Sequence, residues 1–451
     1  MSLTYQEAKL VKGTIPALKE HGEHIATVFY KTMLRNHPEL NNYFNSVNMQ
    51  NGSQPRALTS LILAFASNIS HISELIPMME RVAQKHTSLN IQAEDYDIVG
   101  KFLLRAFAAV LGPAMTPDVR LAWTKAYWLM SRMLSTRESQ LYKEFEPWSG
   151  WRQFIIRKKA RETEDGDVVS FTLQPVDGVS LPAFKPGQYI SVRMRVAGNP
   201  YTQIRQYSLS DAPAPNQYRI TVKRYMGHWP DHSSEAEQAK LRHRAASTTS
   251  SVSSSAAVSS TSGSGFEGAA GADPSRPGLV STALIDESQE GDVVELTHPA
   301  GDFFHEPDDS STVPIVLISA GIGAAPLVSI LNTTLHRQPS KPISWVHGSR
   351  AQAPFEAHVR QLAARHPSLR TSFFRTRLAD TELPNYTYDF RVDLAHLKPE
   401  DLHLQNGSTK YLICGPDKFM FEMSAFLTAN NIHKSRVHFE AYSTGSFELK
   451  A

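Results

Sequence analysis

The stretch "VAQKHTSLN" at residues 82–90 carries one histidine, His86, near the end of a predicted helix. An imidazole can bind a metal ion, or the iron of a cofactor, through one ring nitrogen. The chain contains 18 histidines but a single cysteine, Cys414, which excludes an internal disulfide and a cysteine-clustered zinc or iron–sulfur site. A metal must therefore be held by histidine, by a carboxylate or inside a cofactor. The alternative is an ordinary exposed or capping side chain, and the helix alone leaves both open.

A glycine-rich turn lies in "LISAGIGAAP" at residues 317–326, between an apolar run typical of a buried strand and the start of a helix. Gly321 and Gly323 let the backbone approach a pyrophosphate, and the following helix N-terminus supplies N–H groups and the positive end of its dipole. Many parallel domains need glycines at strand ends, so the turn by itself is a weak signal. The candidate pyrophosphate-binding residues in this turn are Gly321 and Gly323.

A second cofactor signal is "RQYSLS" at residues 205–210, in a region of short alternating strands. The guanidinium of Arg205 suits a diphosphate, the phenol of Tyr207 can cover a flat isoalloxazine ring, and the Ser208 hydroxyl can donate to that ring. The alternative is an edge strand with an outward arginine. The motifs "PGQY" (186–189) and "CGPDKFM" (414–420) argue against that alternative.

The motif "HGSR" at residues 347–350 ends another predicted strand of the same region as the glycine turn. The hydroxyl of Ser349 and the guanidinium of Arg350 suit a 2′-phosphate, which favours NADPH over NADH. An arginine in a loop is often only solvated, so this preference is a prediction to be tested.

Three patterns divide the 451 residues, a length that predicts two to four domains. Apolar residues recur at three- and four-residue steps over 1–148, which predicts an all-α domain. Short alternating stretches punctuated by Gly, Pro and Asp over 149–310 predict an antiparallel β-barrel. Apolar strands alternate with helical stretches over 311–451, which predicts a parallel α/β domain. We therefore expect a multidomain protein.

The barrel pattern is interrupted at about residues 235–276 by a Ser-rich stretch that cannot bury enough apolar area to order itself. We predict a disordered loop, either a tolerated surface insertion or a regulatory, phosphorylated one. The formal net charge of +2 points neither to nucleic acid nor to acidic membranes. The N-terminus shows no targeting signal and no run is long and apolar enough to span a membrane. We expect a cytoplasmic monomer.

The set "PGQY", "RQYS", "GIGAAP" and "CGP" resembles the ferredoxin–NADP reductase family, in which an FAD-binding barrel precedes a nicotinamide-binding α/β domain. The resemblance covers about 150–451 apart from the insertion, and it implies FAD together with NADPH or NADH. It implies that Cys414 lies near the nicotinamide. The residues that it implies for the nicotinamide cofactor's pyrophosphate are Gly321, Ile322, Gly323, Ala324, Ala325 and Pro326. The implied FAD-binding residues are Tyr189, Arg205, Gln206, Tyr207 and Ser208.

The motifs "QKHTS", "YDIVG" and "KAYW", with the spacing from Phe44 to His86, resemble the bacterial-type globin domain of the flavohemoglobins. The order of globin, FAD barrel and nicotinamide domain is also that of the flavohemoglobins, so the resemblance spans the chain except the insertion. It implies heme b with His86 as the proximal ligand. Tyr96 and Glu138 would lie behind the imidazole, and Lys85 would tune the reduction potential of the heme. On the distal side, Tyr30 would donate a hydrogen bond to bound dioxygen. The other distal residues would be Gln54, Leu58 and Phe44.

The C-terminal stretch "HFEAYSTGSF" at residues 438–447 resembles the closing strand of the flavohemoglobins. The resemblance implies that Glu440 lies between flavin and heme. Tyr442 and Ser443 stand where the common form has Phe-Gly. The tyrosine can still cover the flavin ring, whereas the serine hinders the tail's close approach to FAD.

The resemblance to the flavohemoglobins implies nitric oxide dioxygenase activity. NAD(P)H would reduce FAD, FAD would reduce the heme iron, and heme-bound dioxygen would oxidise nitric oxide to nitrate, which removes nitric oxide. One alternative is a sensor or store of dioxygen or nitric oxide, but a store needs no NAD(P)H input. Another is a general NAD(P)H-dependent heme or quinone reductase.

Overall fold

The computed structural model describes residues 3–148, 150–227, 277–308, 311–377 and 387–442. Among these residues, a helical part precedes the first strand, and its core is formed by the inward faces of long helices, with Phe29, Phe65 and Phe107 almost completely buried. Its helices are α1 (Tyr5–Gly13), α2 (Ile15–Asn36), α3 (Ser46–Gln50), α4 (Ser53–Ser67), α5 (Ile76–Ser88), α6 (Asp95–Leu111) and α7 (Pro117–Glu144).

Local sequence explains where the first and last of these helices begin. Thr4 and Glu7 form a capping box at the start of α1, where each side chain bonds a backbone N–H that the helix leaves free. The Thr116 side chain accepts a hydrogen bond from the Val119 N–H, and Pro117 then occupies the first turn of α7, where its missing N–H costs nothing.

The second part is an antiparallel sheet with the strand order β4-β3-β6-β1-β2-β5. Leu209, directly after β4, bridges Ile220 of β5, so the two edges of the sheet meet and close it into a barrel. A short helix, α8 (Leu279–Thr282), continues as one π-helical turn before β6. The strands are β1 (Arg152–Arg161), β2 (Val168–Pro175), β3 (Tyr189–Met194), β4 (Gln203–Ser208), β5 (Tyr218–Lys223) and β6 (Val293–Leu296).

The third part is a parallel sheet with the order β10-β9-β8-β7-β11-β12. From β7 the chain goes first to β8 on one side and later to β11 on the other, so the loops at its carboxyl end diverge and leave a crevice. Its elements are β7 (Ile315–Ala320), α9 (Ala324–Arg337), β8 (Ile343–Ser349), α10 (Glu356–Arg365), β9 (Leu369–Arg375), β10 (Thr387–Tyr388), β11 (Lys410–Cys414), α11 (Asp417–Ala429) and β12 (Val437–Glu440).

The predicted fold class is confirmed, with an all-α part, an antiparallel β-barrel and a parallel α/β part in that order. The predicted boundary at 148/149 falls between α7 and β1, and the one at 310/311 falls between β6 and β7. The Ser-rich insertion at about 235–276 and Ser443 lie outside the described residues. No helix in the described ranges combines the length and the hydropathy that a membrane span requires.

Candidate functional site

His86 lies in the last turn of α5, with its ring against side chains from two other helices. Its Nδ1 is 2.8 Å from Oε1 of Glu138 on α7 and 2.9 Å from the hydroxyl oxygen of Tyr96 on α6. The Tyr96 hydroxyl donates to the same carboxylate oxygen over 2.6 Å. Because the carboxylate only accepts and the phenol's hydrogen is already used, we assign the ring hydrogen to Nδ1. The lone pair of Nε2 is then available to bind a metal.

The carboxylate behind the imidazole is shielded from solvent, with 3% of the Glu138 side chain exposed. Burial, together with the charge of Glu138, raises the pKa of the Tyr96 hydroxyl, which therefore stays protonated and donates. A buried carboxylate on the far ring nitrogen makes an imidazole a more basic ligand. The structure thus brings together three residues that the sequence analysis assigned to one site, although Glu138 is 52 residues from His86.

The position of Tyr96 depends on the packing of α6 against α7. The Tyr127 hydroxyl donates to the backbone carbonyl of Tyr96 over 2.6 Å. A Cβ at Gly100 would lie 2.4 Å from the Tyr127 ring, so a glycine is needed for the two helices to approach this closely. Tyr127 lies in the "KAYW" motif, and the sequence alone predicts no separate role for it.

A second group of predicted residues comes from α2, α4 and the segment between α2 and α3. The Gln54 amide donates to the Tyr30 hydroxyl oxygen over 3.1 Å, and the rings of Tyr30 and Phe44 meet edge to face with centroids 5.4 Å apart. Leu58 lies one turn after Gln54 and packs against the same core. Burial raises the pKa of Tyr30 to about 12, so its hydroxyl keeps its hydrogen.

The donor set at His86 fits a heme. Within the described residues, no group of three or more His, Cys, Asp and Glu side chains is arranged to hold a metal ion. A metal bound at His86 must therefore take its other ligands from a cofactor, and a porphyrin supplies the equatorial nitrogens. The single imidazole with a fixed tautomer matches the proximal side of such a group.

The residues predicted to bind flavin lie on the paired strands β3 and β4, where Tyr189 is opposite Ser208. Arg205 and Tyr207 share one face of β4, since side chains alternate along a strand. The half-buried Arg205 guanidinium donates to the Ile204 carbonyl over 2.8 Å and, across to the helical part, to Oδ1 of Asn45 over 3.2 Å. A guanidinium has five N–H donors, so Arg205 retains donors for an anion. This arrangement fits a flavin diphosphate.

The α8 helix lies against the barrel near the residues predicted to bind flavin. The Gly278 N–H donates to the Tyr225 carbonyl over 2.7 Å, which places the start of α8 beside the end of β5. The helix packs against β4, the strand of Arg205, and the Oγ1 atom of Thr282 is buried without a hydrogen-bond partner among the described residues.

The two glycines of the "GIG" turn are required for different structural reasons. Gly321 has φ of +57°, a left-handed conformation that favours glycine. Gly323 has an ordinary φ, but a Cβ there would lie 2.2 Å from the carbonyl oxygen of Cys414 at the end of β11. Gly323 of the turn and Cys414 of the "CGP" motif, 91 residues apart, are therefore in contact at the crevice beside the carboxyl end of β7.

The residues predicted to select the nicotinamide cofactor lie at the end of β8. The Ser349 hydroxyl donates to the Ala351 carbonyl over 2.7 Å. Arg350 is close enough to Lys223 of β5 for the two charges to repel, and the Lys223 Nζ lies 3.7 Å from where a Cβ of Gly321 would be. Lys223 is a phosphate-binding candidate that the sequence analysis missed, and its only sequence signal is a basic residue ending the strand "YRITVK".

The C-terminal strand reaches all three parts. Burial, reinforced by the charge of Asp302 and opposed by Arg81 and Lys85, raises the pKa of Glu440 to about 8. The helical part thus presents Lys85 to a carboxyl group from β12. The exposed Tyr442 places its hydroxyl 3.4 Å from the Ser208 hydroxyl and 3.5 Å from the Ile322 carbonyl oxygen.

Replacing Glu440 with glutamine is expected to flatten the pH dependence of stability. The native carboxyl keeps its proton up to about pH 8, whereas the unfolded one releases it near 4.5. The native state therefore binds more protons between these values, and the free energy of unfolding falls as the pH rises, by up to about 1.4 kcal/mol per pH unit. Urea unfolding at several pH values between these limits measures the slope, with the exposed Glu94→Gln as the control. Equal slopes in Glu440→Gln and the unsubstituted protein would contradict this protonation state.

Comparison with known proteins identifies the parts. The Globin family model matches residues 27–134, and the Oxidoreductase NAD-binding domain model matches residues 317–425. The chain is 37% identical to the flavohemoprotein of Chromobacterium violaceum over 98% of both chains, and 33% identical to that of Bacillus subtilis over 96% of both. A crystal structure of flavohemoglobin from Malassezia yamatoensis, with bound FAD and heme, superposes with a TM-score of 0.75 at 25% identity, covering 98% of this chain and 100% of that one.

The fold and the site define a globin joined in one chain to an oxidoreductase of the nicotinamide-dependent class. The full-length similarity goes further, and the chain belongs to the flavohemoprotein family. The resemblance stated from the sequence motifs is thereby confirmed, as is the prediction of an enzyme.

Proposed function

We propose that this chain is a nitric oxide dioxygenase, which uses NAD(P)H and dioxygen to convert nitric oxide to nitrate. Its cofactors are heme, as heme b, FAD, and NADPH or NADH. The observation that carries the proposal is the buried contact of His86 with Glu138 and Tyr96. An imidazole made more basic in this way gives electron density to a heme iron, which suits activation of dioxygen rather than its storage.

The reaction balances with the components of one chain. NAD(P)H gives up two electrons with its hydride, and each nitrate formed from one nitric oxide and one dioxygen takes one electron. FAD, when bound, accepts the pair and passes electrons on singly, and heme iron, when bound, offers the position for dioxygen. A chain that only stored or sensed a gas would have no use for the nicotinamide-binding part that follows the globin.

On the flavin side, Arg205 would bind the diphosphate through its remaining N–H donors. Tyr442, whose hydroxyl lies near the Ser208 hydroxyl and the Ile322 carbonyl oxygen, would cover the ring of a bound flavin. Glu440 holds a proton on its carboxyl at neutral pH. The other residues proposed to hold the flavin and the nicotinamide cofactor are Tyr189, Gln206, Tyr207, Ser208, Cys414, Ser349, Arg350 and the turn from Gly321 to Pro326.

On the heme side, the phenol of Tyr30 is the group proposed to hydrogen-bond a ligand in the pocket. Because the Gln54 amide donates to the Tyr30 oxygen, the single hydrogen of the phenol remains available for a ligand beside the heme. The pKa of about 12 keeps that hydrogen in place at neutral pH. Phe44 packs on the edge of the Tyr30 ring and fixes its direction, and Leu58 narrows the space.

The test is the consumption of nitric oxide by purified protein loaded with heme and FAD. We expect turnover only when dioxygen and NADPH are both present, with two nitrates formed per NADPH oxidised. A sensor or store would bind nitric oxide once without turnover. A general reductase would oxidise NADPH with added electron acceptors and form less than two nitrates per NADPH. Either result would overturn the proposal.

Replacing Tyr30 with phenylalanine is expected to slow nitric oxide consumption and to speed dissociation of dioxygen from the ferrous protein about 10- to 100-fold, the worth of one hydrogen bond to a charged ligand. Stopped-flow displacement of dioxygen measures the rate. The matched control is Tyr142→Phe, which loses a hydroxyl bonded to the Ile91 carbonyl instead. Unchanged dissociation in Tyr30→Phe would remove Tyr30 from the ligand pocket.

We further propose that NADPH is preferred over NADH, because Lys223 lies beside Gly321 and Arg350 is close enough to Lys223 for the two cations to repel. A 2′-phosphate would reduce their repulsion. Location in the cytoplasm, the monomeric state and the role of the Ser-rich insertion stay predictions from the sequence.

A further inference from the structure

The last two turns of α5 present one face to the barrel. Arg81, Gln84 and Ser88 are three and four residues apart and therefore share a side of the helix. The Arg81 Nε lies 3.3 Å from Asp302, and Oε1 of Gln84 accepts a hydrogen bond from the Gly301 N–H over 2.9 Å. His86, between these positions, is turned toward α6 and α7 instead. The same helix thus holds the predicted heme ligand on one side and the barrel on another.

Ser88 is the innermost contact of this face and is completely buried. Its hydroxyl donates to the Lys85 carbonyl over 2.8 Å and accepts from the Gln206 side-chain amide over 2.7 Å. Its backbone carbonyl accepts from the Thr297 hydroxyl over 3.0 Å. The side chain of Tyr189 also lies close to Ser88. Ser88 therefore has partners in both the helical part and the barrel.

The barrel partners of Ser88 belong to three neighbouring strands. Gln206 lies on β4, Tyr189 on β3, and Thr297 directly follows β6, in the spatial order β4-β3-β6. The Thr297 hydroxyl also accepts the Ser191 N–H of β3 over 3.2 Å, which ties the last two strands together at this point. Tyr189 and Gln206 are two of the residues proposed to hold FAD.

We propose that Ser88 is a positioning residue that fixes the separation between the heme-binding helix and the flavin-binding strands. This inference rests on the proposed function, in which electrons pass from FAD to heme inside one chain. The position of His86 is set by α5, two residues before Ser88, and the flavin is set by β3 and β4. Loss of the Ser88 hydroxyl leaves the half-buried Gln206 amide without this partner, so the strands and the helix separate locally. Electron transfer falls steeply with separation, so the loss slows the step in which ferric iron gains one electron from reduced flavin.

The test compares two buried hydroxyls on adjacent residues of α5. Ser88→Ala removes the bond across the junction. The control Thr87→Val removes a hydroxyl that, among the described residues, bonds only the Gln84 carbonyl of its own helix. NADPH is mixed with each loaded protein in a stopped-flow instrument, and flavin bleaching and ferrous heme formation are followed separately. We expect flavin bleaching to be unchanged in both variants and ferrous heme to form about tenfold more slowly in Ser88→Ala alone.

A second readout does not depend on electron transfer. Hydrogen–deuterium exchange of the loaded proteins should rise at residues 297–302 in Ser88→Ala and not in Thr87→Val, because the Gly301 N–H is protected by Gln84 of the same helix face. Thr297→Val, which removes the bond to the Ser88 carbonyl, should slow heme reduction in the same way and provides a second variant if Ser88→Ala does not fold.

The outcomes separate this inference from the function on which it rests. If the unsubstituted protein bleaches its flavin but never forms ferrous heme, the proposed function is wrong. If the unsubstituted protein reduces its heme, and Ser88→Ala and Thr297→Val do so as fast as Thr87→Val, Ser88 is not a positioning residue. Equal exchange at 297–302 in all variants would contradict the junction itself.

Discussion

Replacing His86 with alanine is expected to abolish heme binding while leaving the reductase half active. The affinity for heme should fall by at least about 100-fold, because loss of even an outer partner of a metal ligand costs about 10- to 100-fold. Nitric oxide consumption should be lost with it. Reduction of a dye by NADPH through the flavin should persist, since the strands and turns that would hold FAD and the nicotinamide nucleotide come from β3, β4, β7 and β11.

The heme content per chain, measured from the Soret absorption after heme supplementation, checks the loss. The control is His24→Ala, which removes an exposed imidazole from α2. Added imidazole should restore part of the Soret absorption in His86→Ala because it can occupy the space that the side chain leaves. Full heme content in His86→Ala would mean that another residue is the ligand. Loss of flavin-dependent dye reduction in the same variant would contradict the division of roles between the helical part and the reductase.

Replacing Gly323 with alanine is expected to impair electron transfer at the step where NADPH binds, at the opposite end of the path from the heme. A Cβ at this position would lie 2.2 Å from the carbonyl oxygen and 2.6 Å from the carbonyl carbon of Cys414. Both atoms belong to the backbone of β11, so no side chain can move aside and the turn itself must shift. Overpacking of this kind costs about 1–3 kcal/mol of stability. Displacement of the turn by about 1 Å should lower kcat/KM for NADPH about 100-fold.

Steady-state NADPH oxidation and thermal unfolding check this variant. The matched control is Gly407→Ala, where an added Cβ would have nothing within 4 Å. The carbon monoxide spectrum of dithionite-reduced Gly323→Ala should match that of the unsubstituted protein, because the helical part is untouched. Unchanged kcat/KM for NADPH would show that the turn does not bind the nicotinamide cofactor.

The sequence by itself determined the order of the parts and the local motifs. The "GIGAAP" turn and the "RQYS" strand were readable because a left-handed glycine, a strand end and an adjacent helix start are properties of a few consecutive residues. The change from helical to alternating periodicity located the start of the barrel, since side-chain burial repeats every 3.6 residues in a helix and every two in a strand. These signals need no knowledge of what packs on what.

Only the tertiary structure decided which residues meet. Glu138 reads as an ordinary exposed helix acid, and its role appears only when α5, α6 and α7 pack and bury it against His86. The bond between Ser88 and Gln206 joins residues 118 positions apart, and the contact of Gly323 with Cys414 depends on β7 and β11 being neighbours. Spacing along the chain carries no information on such pairs. The partner and the pKa of a buried polar group depend on how distant segments pack together, which only the tertiary structure shows.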